Sequence, residues 1–181
     1  MQILEEIRHW LDYTIIELNL CPFASLPYKN NQVRFSLVNE SDNEKISSKF
    51  IKELELLNSE KQIIETTLFV LPNMSLDFRA FNDFVGMLED SLFEVNLHDE
   101  FQIVGFHPRF VFNGLESSDR ANWVNRSPHP LIHILKTSSI AKLKLNPNEG
   151  EQVSFNNEKK LNDLNENELK KYFWYIKEDN L

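Results

Sequence analysis

The stretch IIETTLFVLP, residues 63–72, decides which kind of fold this sequence can adopt. Apart from Glu65, every residue from Ile63 to Leu71 is β-branched or apolar, and Pro72 ends the run. A short apolar run without polar alternation is typical of a strand covered on both faces, as in sheets with parallel strands. We therefore expect a buried strand here, with other elements packed on both sides of its sheet.

Helices are predicted before and after this strand. Apolar residues recur at helical spacing from Ile3 to Leu18, and this helix is expected to end near Asn19, because Cys21 precedes a proline. A second helix is predicted to open with a capping box at Ser41 and Glu44, and a third is capped by Ser75 and has an apolar stripe from Phe78 to Leu92. A short helix is predicted over 138–144. Two more are predicted in the tail after Glu149, and the last of them is capped by Asn165 with Glu168.

Three further strands are predicted along the chain. They cover Val33 to Val38, Phe101 to Phe106 and Pro130 to Leu135. Strands that alternate with helices indicate an α/β fold: a small, at least partly parallel sheet of about four strands, covered by helices. We assign residues 1–145 to a single α/β domain and residues 146–181 to a C-terminal helical extension packed on it.

A long loop, GFHPRFVFNGLESSDRANWVNRSPHP at residues 105–130, follows the third predicted strand. Connections of this length are uncommon in compact domains and tend to be functional or disordered, and disordered segments are poor in aromatic residues. This one is rich in them, so we expect an ordered, functional loop. If the strands are parallel, their carboxyl ends bring Pro72, His107 and Lys136 to one edge, where ligands commonly bind.

The composition excludes several classes of function. The 181-residue chain has a formal net charge of −9 and a pI near 5.1, which opposes nucleic-acid binding, because such proteins concentrate lysine and arginine. No apolar stretch is long enough for a membrane span, and the N-terminus lacks the basic and apolar regions of a signal peptide. A single cysteine excludes an internal disulfide, so we expect a cytoplasmic protein, whose oligomeric state the sequence leaves open.

Four motifs distributed along the chain resemble those of one uncharacterised family. They are LNLCPFA (18–24), ETTLFVLP (65–72), GFHPRFVF (105–112) and NRSPHPLIHILK (125–136). The family is bacterial, with plant and algal relatives, and is labelled only as a domain of unknown function, number fourteen-fifteen. His129 departs from the family pattern, in which an aromatic residue such as tyrosine is common. No activity follows from the resemblance, so the chemistry has to come from the residues themselves.

Two histidines are candidates for acid–base catalysis. His107 stands where the third strand meets the loop, and a rigid strand end is a good position for a general base. The alternative for His107 is a polar strand terminus, followed by a proline that blocks further pairing. His133 shares a strand face with Leu131 and Leu135. It could be a core histidine bound to a carbonyl, or a catalytic residue close to the long loop.

Cys21 and Glu65 complete the candidate catalytic residues. A lone intracellular cysteine can be a nucleophile where an imidazolium or the start of a helix stabilises its thiolate. Cys21 instead follows a helix C-terminus, whose negative end raises a thiol pKa, and a buried structural cysteine is the favoured interpretation. Glu65 leads into an apolar strand and needs a partner. That partner is either Arg34 or Arg126 in a structural ion pair, or a ligand on which Glu65 acts.

The arginines are the clearest indication of a binding site. Residues 62–135 contain four arginines and no lysine. Arginine presents a planar fork that suits a carboxylate or a phosphate, whereas lysine is a point charge. Arg126, flanked by Asn125 and Ser127 in a proline-rich turn, is therefore the predicted anchor of an anionic group, and Arg34 is a further candidate ligand-binding residue. The alternative is a loop tied down by hydrogen bonds from Arg126 to backbone carbonyls.

Two functions remain open. The first is a small-molecule enzyme, a hydrolase or a transferase, that acts on an anionic metabolite with His107 and His133 as acid and base and Arg126 as anchor. The second is a non-catalytic ligand-binding or assembly module that uses the same pocket. Both predict that the candidate side chains line one cavity. No glycine-rich phosphate loop and no close-spaced metal-ligand motif are present, so we expect neither a nucleotide cofactor nor a metal.

Overall fold

The computed structural model describes residues 2–59, 63–75, 77–142 and 147–176. In chain order the elements of these residues are α1 (Gln2–His9), a π-helical segment (Trp10–Ile16), α2 (Ser25–Lys29), β1 (Val33–Leu37), α3 (Asn43–Ser59), β2 (Thr66–Val70), α4 (Phe78–Glu94), β3 (Phe101–Phe106), a 3-10 helix (Arg120–Asn125), β4 (Leu131–Lys136), α5 (Thr137–Lys142), α6 (Pro147–Asp163) and α7 (Glu166–Tyr172). None of the described helices combines the length and the apolar composition needed to cross a bilayer.

The four strands form one sheet in the order β1-β2-β4-β3. Strands β1 and β2 are parallel, whereas β4 lies antiparallel between β2 and β3. This confirms the predicted α/β fold with a small, partly parallel sheet of four strands. The expectation for Lys136 is wrong, because β4 runs against its neighbours and ends at the edge away from Pro72 and His107. There the Lys136 ammonium donates to the Ile64 carbonyl at 2.5 Å.

Helices α3 and α4 cover one face of the sheet, here called the α3/α4 face. They are the crossovers from β1 to β2 and from β2 to β3, and their buried stripes meet alternate residues of the strands. The apolar members of this core include Phe50, Leu54, Phe69, Phe81, Phe84, Leu88, Phe101, Ile132 and Ile134. The polar side chains of Glu53, Thr67 and His107 are also buried on this face.

The chain ends cover the opposite face, here called the α1/α7 face. Helix α1 and the π-helical segment supply Ile7, Trp10, Leu11 and Ile15 to this second core. Helices α6 and α7 add Leu161 and Leu169, and the turn after α7 adds Phe173 and Tyr175. These residues pack with Leu68, Val70 and Leu131 of the sheet. The residues beyond 145, predicted as a packed extension, therefore complete the core of the same domain.

Local signals at the helix ends are partly confirmed. The capping box of Asn165 and Glu168 opens α7 as predicted. At the other two helices the cap is an aspartate close to the predicted serine: Asp42 Oδ1 accepts the backbone N–H of Lys45 at 3.0 Å, and Asp77 caps α4. A carboxylate is favoured there because it also interacts with the positive end of the helix. Residues 143 and 144 of the predicted short helix, and residues 177–181 of the tail, lie outside the described residues.

Candidate functional site

Arg126 lies near the C-terminal end of the long loop, and its side chain is fully buried. Its Nε donates to the Phe110 carbonyl at 3.3 Å, and its Nη2 donates to the Ser117 carbonyl at 2.7 Å. Its own carbonyl accepts from Trp10 Nε1 at 3.1 Å and from the Tyr175 hydroxyl at 3.0 Å. Residue 126 therefore connects the loop with both ends of the chain.

Side chains of the loop hold the backbone around Arg126 in place. Asp119 caps the 3-10 helix by accepting the backbone N–H two residues further on, at 2.9 Å. The buried Asn122 accepts from the Phe112 N–H at 2.9 Å and donates to the Glu116 carbonyl at 2.8 Å. The loop is ordered, as its composition predicts. The sequence analysis did not predict a role for Asn122. The one feature that could have indicated it is an amide side chain next to Trp123 in an aromatic-rich loop.

Two buried donors in this region have no partner among the described residues. They are Nη1 of Arg126 and Nε1 of Trp123, and the guanidinium carbon lies 6.0 Å from the centre of the Trp123 ring. No carboxylate in the described ranges forms an ion pair with Arg126, and burial lowers the pKa of its guanidinium. Such donors are uncommon in folded proteins, because burial without a partner sacrifices the hydrogen bonds that water supplies.

Asn125 and Ser127, the predicted companions of Arg126, use their side chains within the chain itself. Asn125 Nδ2 donates to the Gly105 carbonyl at 3.4 Å, and Ser127 Oγ donates to the His129 carbonyl at 2.7 Å. Ser127 is fully buried, whereas Asn125 remains half-buried. Their contacts shape the loop, so a ligand would have to displace one of these bonds to reach either side chain.

His107 is buried between aromatic rings on the α3/α4 face. The centre of its ring lies 5.5 Å from that of Phe78 and 5.0 Å from that of Phe81. Its Nδ1 accepts the Arg109 N–H at 3.0 Å, so the neutral ring carries its proton on Nε2, which faces the Ser75 carbonyl at 3.4 Å. Burial lowers the pKa of His107 to about 4. Both nitrogens serve the backbone, which supports a structural role over catalysis.

His133 lies half-buried in the middle of β4, on the α1/α7 face. Its Nε2 is 2.6 Å from Thr66 Oγ1, and the same hydroxyl is 2.6 Å from the Ile134 carbonyl. A carbonyl only accepts, so the Thr66 hydroxyl donates to it and accepts from the imidazole Nε2–H. Burial lowers the pKa of His133 to about 4, and the ring is neutral at pH 7. Its Nδ1 then carries a lone pair, with no partner among the described residues.

The candidate catalytic residues do not line one cavity. Strand β3 directs His107 to the α3/α4 face, and β4 directs His133 to the α1/α7 face. Glu65 precedes β2 and lies at the opposite end of the sheet from His107, where its carboxylate accepts a hydrogen bond from Ser139. The expectation of a single cavity is therefore wrong, because side chains alternate along a strand, and because Glu65 precedes β2 whereas His107 follows β3, which runs in the same direction.

Cys21 is a free thiol, partly buried against the second core. Burial raises the pKa of the thiol, although the backbone N–H groups of Phe23 and Ala24 lower it in part. No charged side chain counteracts the burial effect. The thiolate is disfavoured at neutral pH, which supports the structural interpretation over nucleophilic catalysis.

Arg34, a predicted ligand-binding residue, instead forms an ion pair with Glu53, with 2.7 Å between Nε and Oε1. Ser36 and Thr67 each donate a hydroxyl hydrogen bond to the same carboxylate at 3.0 Å. The Glu53 side chain is only 6% exposed, against 40% for Arg34. The sequence interpretation missed Glu53, although a usable signal was present: it falls within the apolar stripe of α3, where a charge needs partners.

The described residues contain no group of three or more histidine, cysteine, aspartate and glutamate side chains that could hold a metal ion. His129 pairs with Glu6 at 2.7 Å and so connects the end of the long loop to α1.

The fold defines an α/β domain whose sheet is covered by crossover helices on one face and by the chain ends on the other. The family model described as "Protein of unknown function (DUF1415)" matches residues 2–171, and the chain belongs to this family. The match confirms the resemblance seen in the motifs and continues past residue 145 into the C-terminal helices. Comparisons with curated proteins and with solved structures found no match.

Proposed function

We propose that this chain is a small-molecule binding domain, in which Arg126 holds the carboxylate or phosphate group of an anionic metabolite inside the long loop. The observation that carries the proposal is the pair of buried donors without partners, Arg126 Nη1 and Trp123 Nε1. Both atoms donate, so the missing partner is an acceptor. The guanidinium also has no counter-charge among the described residues, which favours an anion over water.

The arginine is already oriented for such a contact. The Phe110 and Ser117 carbonyls hold Nε and Nη2, so that Nη1 is the guanidinium nitrogen without any partner among the described residues. A hydrogen bond between charged groups contributes about 1.5–3 kcal/mol, and low local polarity strengthens it. The contact proposed here uses one nitrogen of Arg126, together with the indole of Trp123. It therefore differs from the bidentate contact that the use of arginine instead of lysine in residues 62–135 suggests.

Access to Arg126 would be through the outer part of the loop. Residues 112–118 are exposed, and the bond between Ser117 and Arg126 closes them over the guanidinium. Gly114, at a φ of 83°, adopts a conformation that other residues rarely adopt and is a suitable pivot. The anionic group would be enclosed when the loop closes, while the body of the metabolite stays outside.

A second candidate function is an enzyme of the hydrolase or transferase class that acts on an anionic metabolite. His133 favours it, because the Thr66 hydroxyl, which itself donates to the Ile134 carbonyl, holds the imidazole with its Nδ1 lone pair available. Catalytic bases are commonly oriented by a second hydrogen bond of this kind. A pKa of about 4 makes His133 a weak base in the free protein, so we place binding first. Either function is proposed for the cytoplasm, which the free thiol of Cys21 supports.

Calorimetric titration with inorganic phosphate, succinate and a panel of phosphate- and carboxylate-bearing metabolites tests the proposal. We expect Arg126→Lys to weaken binding by about 1–3 kcal/mol. Trp123→Phe, which removes the indole donor but keeps an aromatic ring, should weaken it less. Arg79→Lys is the matched control, because Arg79 is exposed on α4. In NMR spectra, the Trp123 Nε1–H resonance should shift during the titration.

The outcomes separate a ligand site from a structural clamp. If Arg126→Lys lowers the melting temperature and leaves the affinity unchanged, Arg126 only ties down the loop and the proposal fails. If the arginine variant does not fold, the melting temperature and affinity of Trp123→Phe distinguish the same two outcomes. Turnover of a bound metabolite that is lost in His133→Gln, with binding retained, would select the enzyme over the binding domain.

A further inference from the structure

Strand β3 is an edge strand with no charged residue. It is the last strand in the sheet order, and its sequence, FQIVGF, contains neither lysine nor proline. Edge strands expose backbone hydrogen-bonding groups and are usually protected by charges, prolines, bulges or a covering element. An uncharged apolar edge is therefore a candidate surface for strand addition.

The hydrogen bonds at both ends of β3 show which backbone groups point outward. The Phe101 N–H donates to the Leu97 carbonyl at 3.0 Å, and the Gly105 carbonyl accepts from Asn125 Nδ2 at 3.4 Å. Backbone groups alternate in direction along an antiparallel strand, so the odd-numbered residues face away from β4. The outward groups between these ends are the Phe101 carbonyl, both groups of Ile103 and the Gly105 N–H. None of them has a partner among the described residues.

A groove of about 260 Å³ lies beside this edge. It is bordered by Ile103 and Gly105 of the strand, by Asn82, Gly86 and Glu89 of α4, and by Phe110 of the loop. A Cβ atom added at Gly86 would have nothing within 4 Å, so the helix leaves open space at this point. The free backbone edge and the groove together form one surface, here called the β3 groove.

The charge of the β3 groove selects between possible occupants. Glu89 is its charged lining residue. Next to lining residues lie Asp83 and Asp90 on the same helix and Arg109 on the loop, so acidic side chains are in the majority. A second copy of this acidic chain, paired strand to strand, would bring the two sets of carboxylates together. Like charges destabilise such an arrangement, whereas a basic segment would be attracted.

We propose that the β3 groove binds an extended basic segment of a partner protein, which adds to the sheet beside Phe101–Gly105 and places a lysine or arginine against Glu89. In this mode the backbone bonds supply affinity and the side-chain positions supply specificity. The paired stretch is short, because Leu97 closes it at one end and Asn125 at the other. It has room for about five residues, or roughly 16 Å of extended chain.

Titration of the full chain with a capped hexapeptide of alternating lysine and valine tests this inference, and the same peptide with glutamate in place of lysine is its control. We expect the Ile103 and Gly105 amides to become protected from hydrogen exchange with the lysine peptide only. Gly86→Leu, which fills the groove, and Glu89→Lys should each weaken binding at least about tenfold, the scale of 1.4 kcal/mol. Met87→Leu is the matched control, because Met87 is exposed beside Gly86.

Three results would overturn the inference. One is no protection of the two amides by the lysine peptide at millimolar concentration. Another is binding that Gly86→Leu and Glu89→Lys leave unchanged. The third is a dimer in sedimentation that Gly86→Leu dissociates, since a second copy would then be the occupant. Arg126 takes no part in the proposed groove, so failure here is distinguishable from failure of the proposed anion site.

Discussion

The two faces of the sheet are covered by different kinds of chain. On the α3/α4 face, the covering helices lie between consecutive strands of the sequence, and buried polar groups such as Glu53 and Thr67 belong to the neighbouring elements α3 and β2. On the α1/α7 face, the cover comes from both chain ends, and polar groups such as Thr14, Thr66 and His133 lie among the apolar residues. The first face is therefore assembled from neighbouring segments, whereas the second depends on contacts between distant ones.

Truncation of two adjacent core residues on β2 tests most directly whether the two faces differ in their contribution to stability. Phe69 points to the α3/α4 face, where its ring packs edge-on against Phe50 at 6.0 Å, and Leu68 points to the other face. We expect Phe69→Ala to lower the free energy of unfolding by about 3–5 kcal/mol and Leu68→Ala by about 2–5 kcal/mol, with the smaller loss at Leu68. Urea denaturation measures both. A larger loss at Leu68 would show that the α1/α7 face dominates stability.

The two faces should also differ in their sensitivity to acid, since each carries one histidine whose pKa is lowered to about 4 by burial. In the unfolded chain a histidine titrates near 6.5, so between these values the unfolded state binds more protons and stability falls as pH falls. We expect a loss of up to about 2 kcal/mol per histidine between pH 7 and pH 5. The loss should be smaller for His133, which retains some exposure.

Urea denaturation at several pH values, with His107→Gln and His133→Leu, measures this effect. Each variant should flatten the fall in stability between pH 7 and pH 5. His9→Gln is the control, because His9 is exposed on α1. An unchanged slope in both variants would mean that neither imidazole is kept neutral by burial.

The charged cluster on the α3/α4 face should have a moderate effect. Glu53→Gln keeps the shape but removes the charge that binds Arg34, Ser36 and Thr67. We expect a loss of about 1–3 kcal/mol, the usual cost when hydrogen bonds to a buried charged group are weakened. Glu55→Gln, exposed on the same helix, is the control. If the two variants lose the same amount in thermal unfolding, the cluster adds nothing beyond surface electrostatics.

The smallest effect is expected at Cys21. Cys21→Ala should change stability by no more than about 1 kcal/mol, because a partly buried thiol packs as a small apolar group. Burial raises the pKa of this thiol, so alkylation by iodoacetamide at neutral pH should be slower in the folded chain than in the urea-unfolded chain. Faster alkylation of the folded chain would restore Cys21 as a candidate nucleophile.

Local patterns predicted the individual elements well. The strand predicted over residues 101–106 matches β3 at both ends, and the spacing of Asn165 and Glu168 matches the capping box of α7. These features depend on neighbouring residues alone. The direction of β4 depends on its partners in the sheet, and that direction separates Lys136 from His107. The partners of Glu53 lie on two strands, so the sequence could not predict them without the pairing of those strands.

Periodicity and capping in the sequence by themselves determined the α/β class, the four strands and most helices, because hydrophobic spacing and backbone preference act over a few residues. The tertiary structure alone decided which polar side chains meet. It placed His107 and His133 on opposite faces, enclosed Arg126 beneath its own loop, and left Nη1 and the Trp123 indole without partners in the described residues. Strand order, strand direction and the path of a long loop set these contacts, and each depends on residues far apart in the chain.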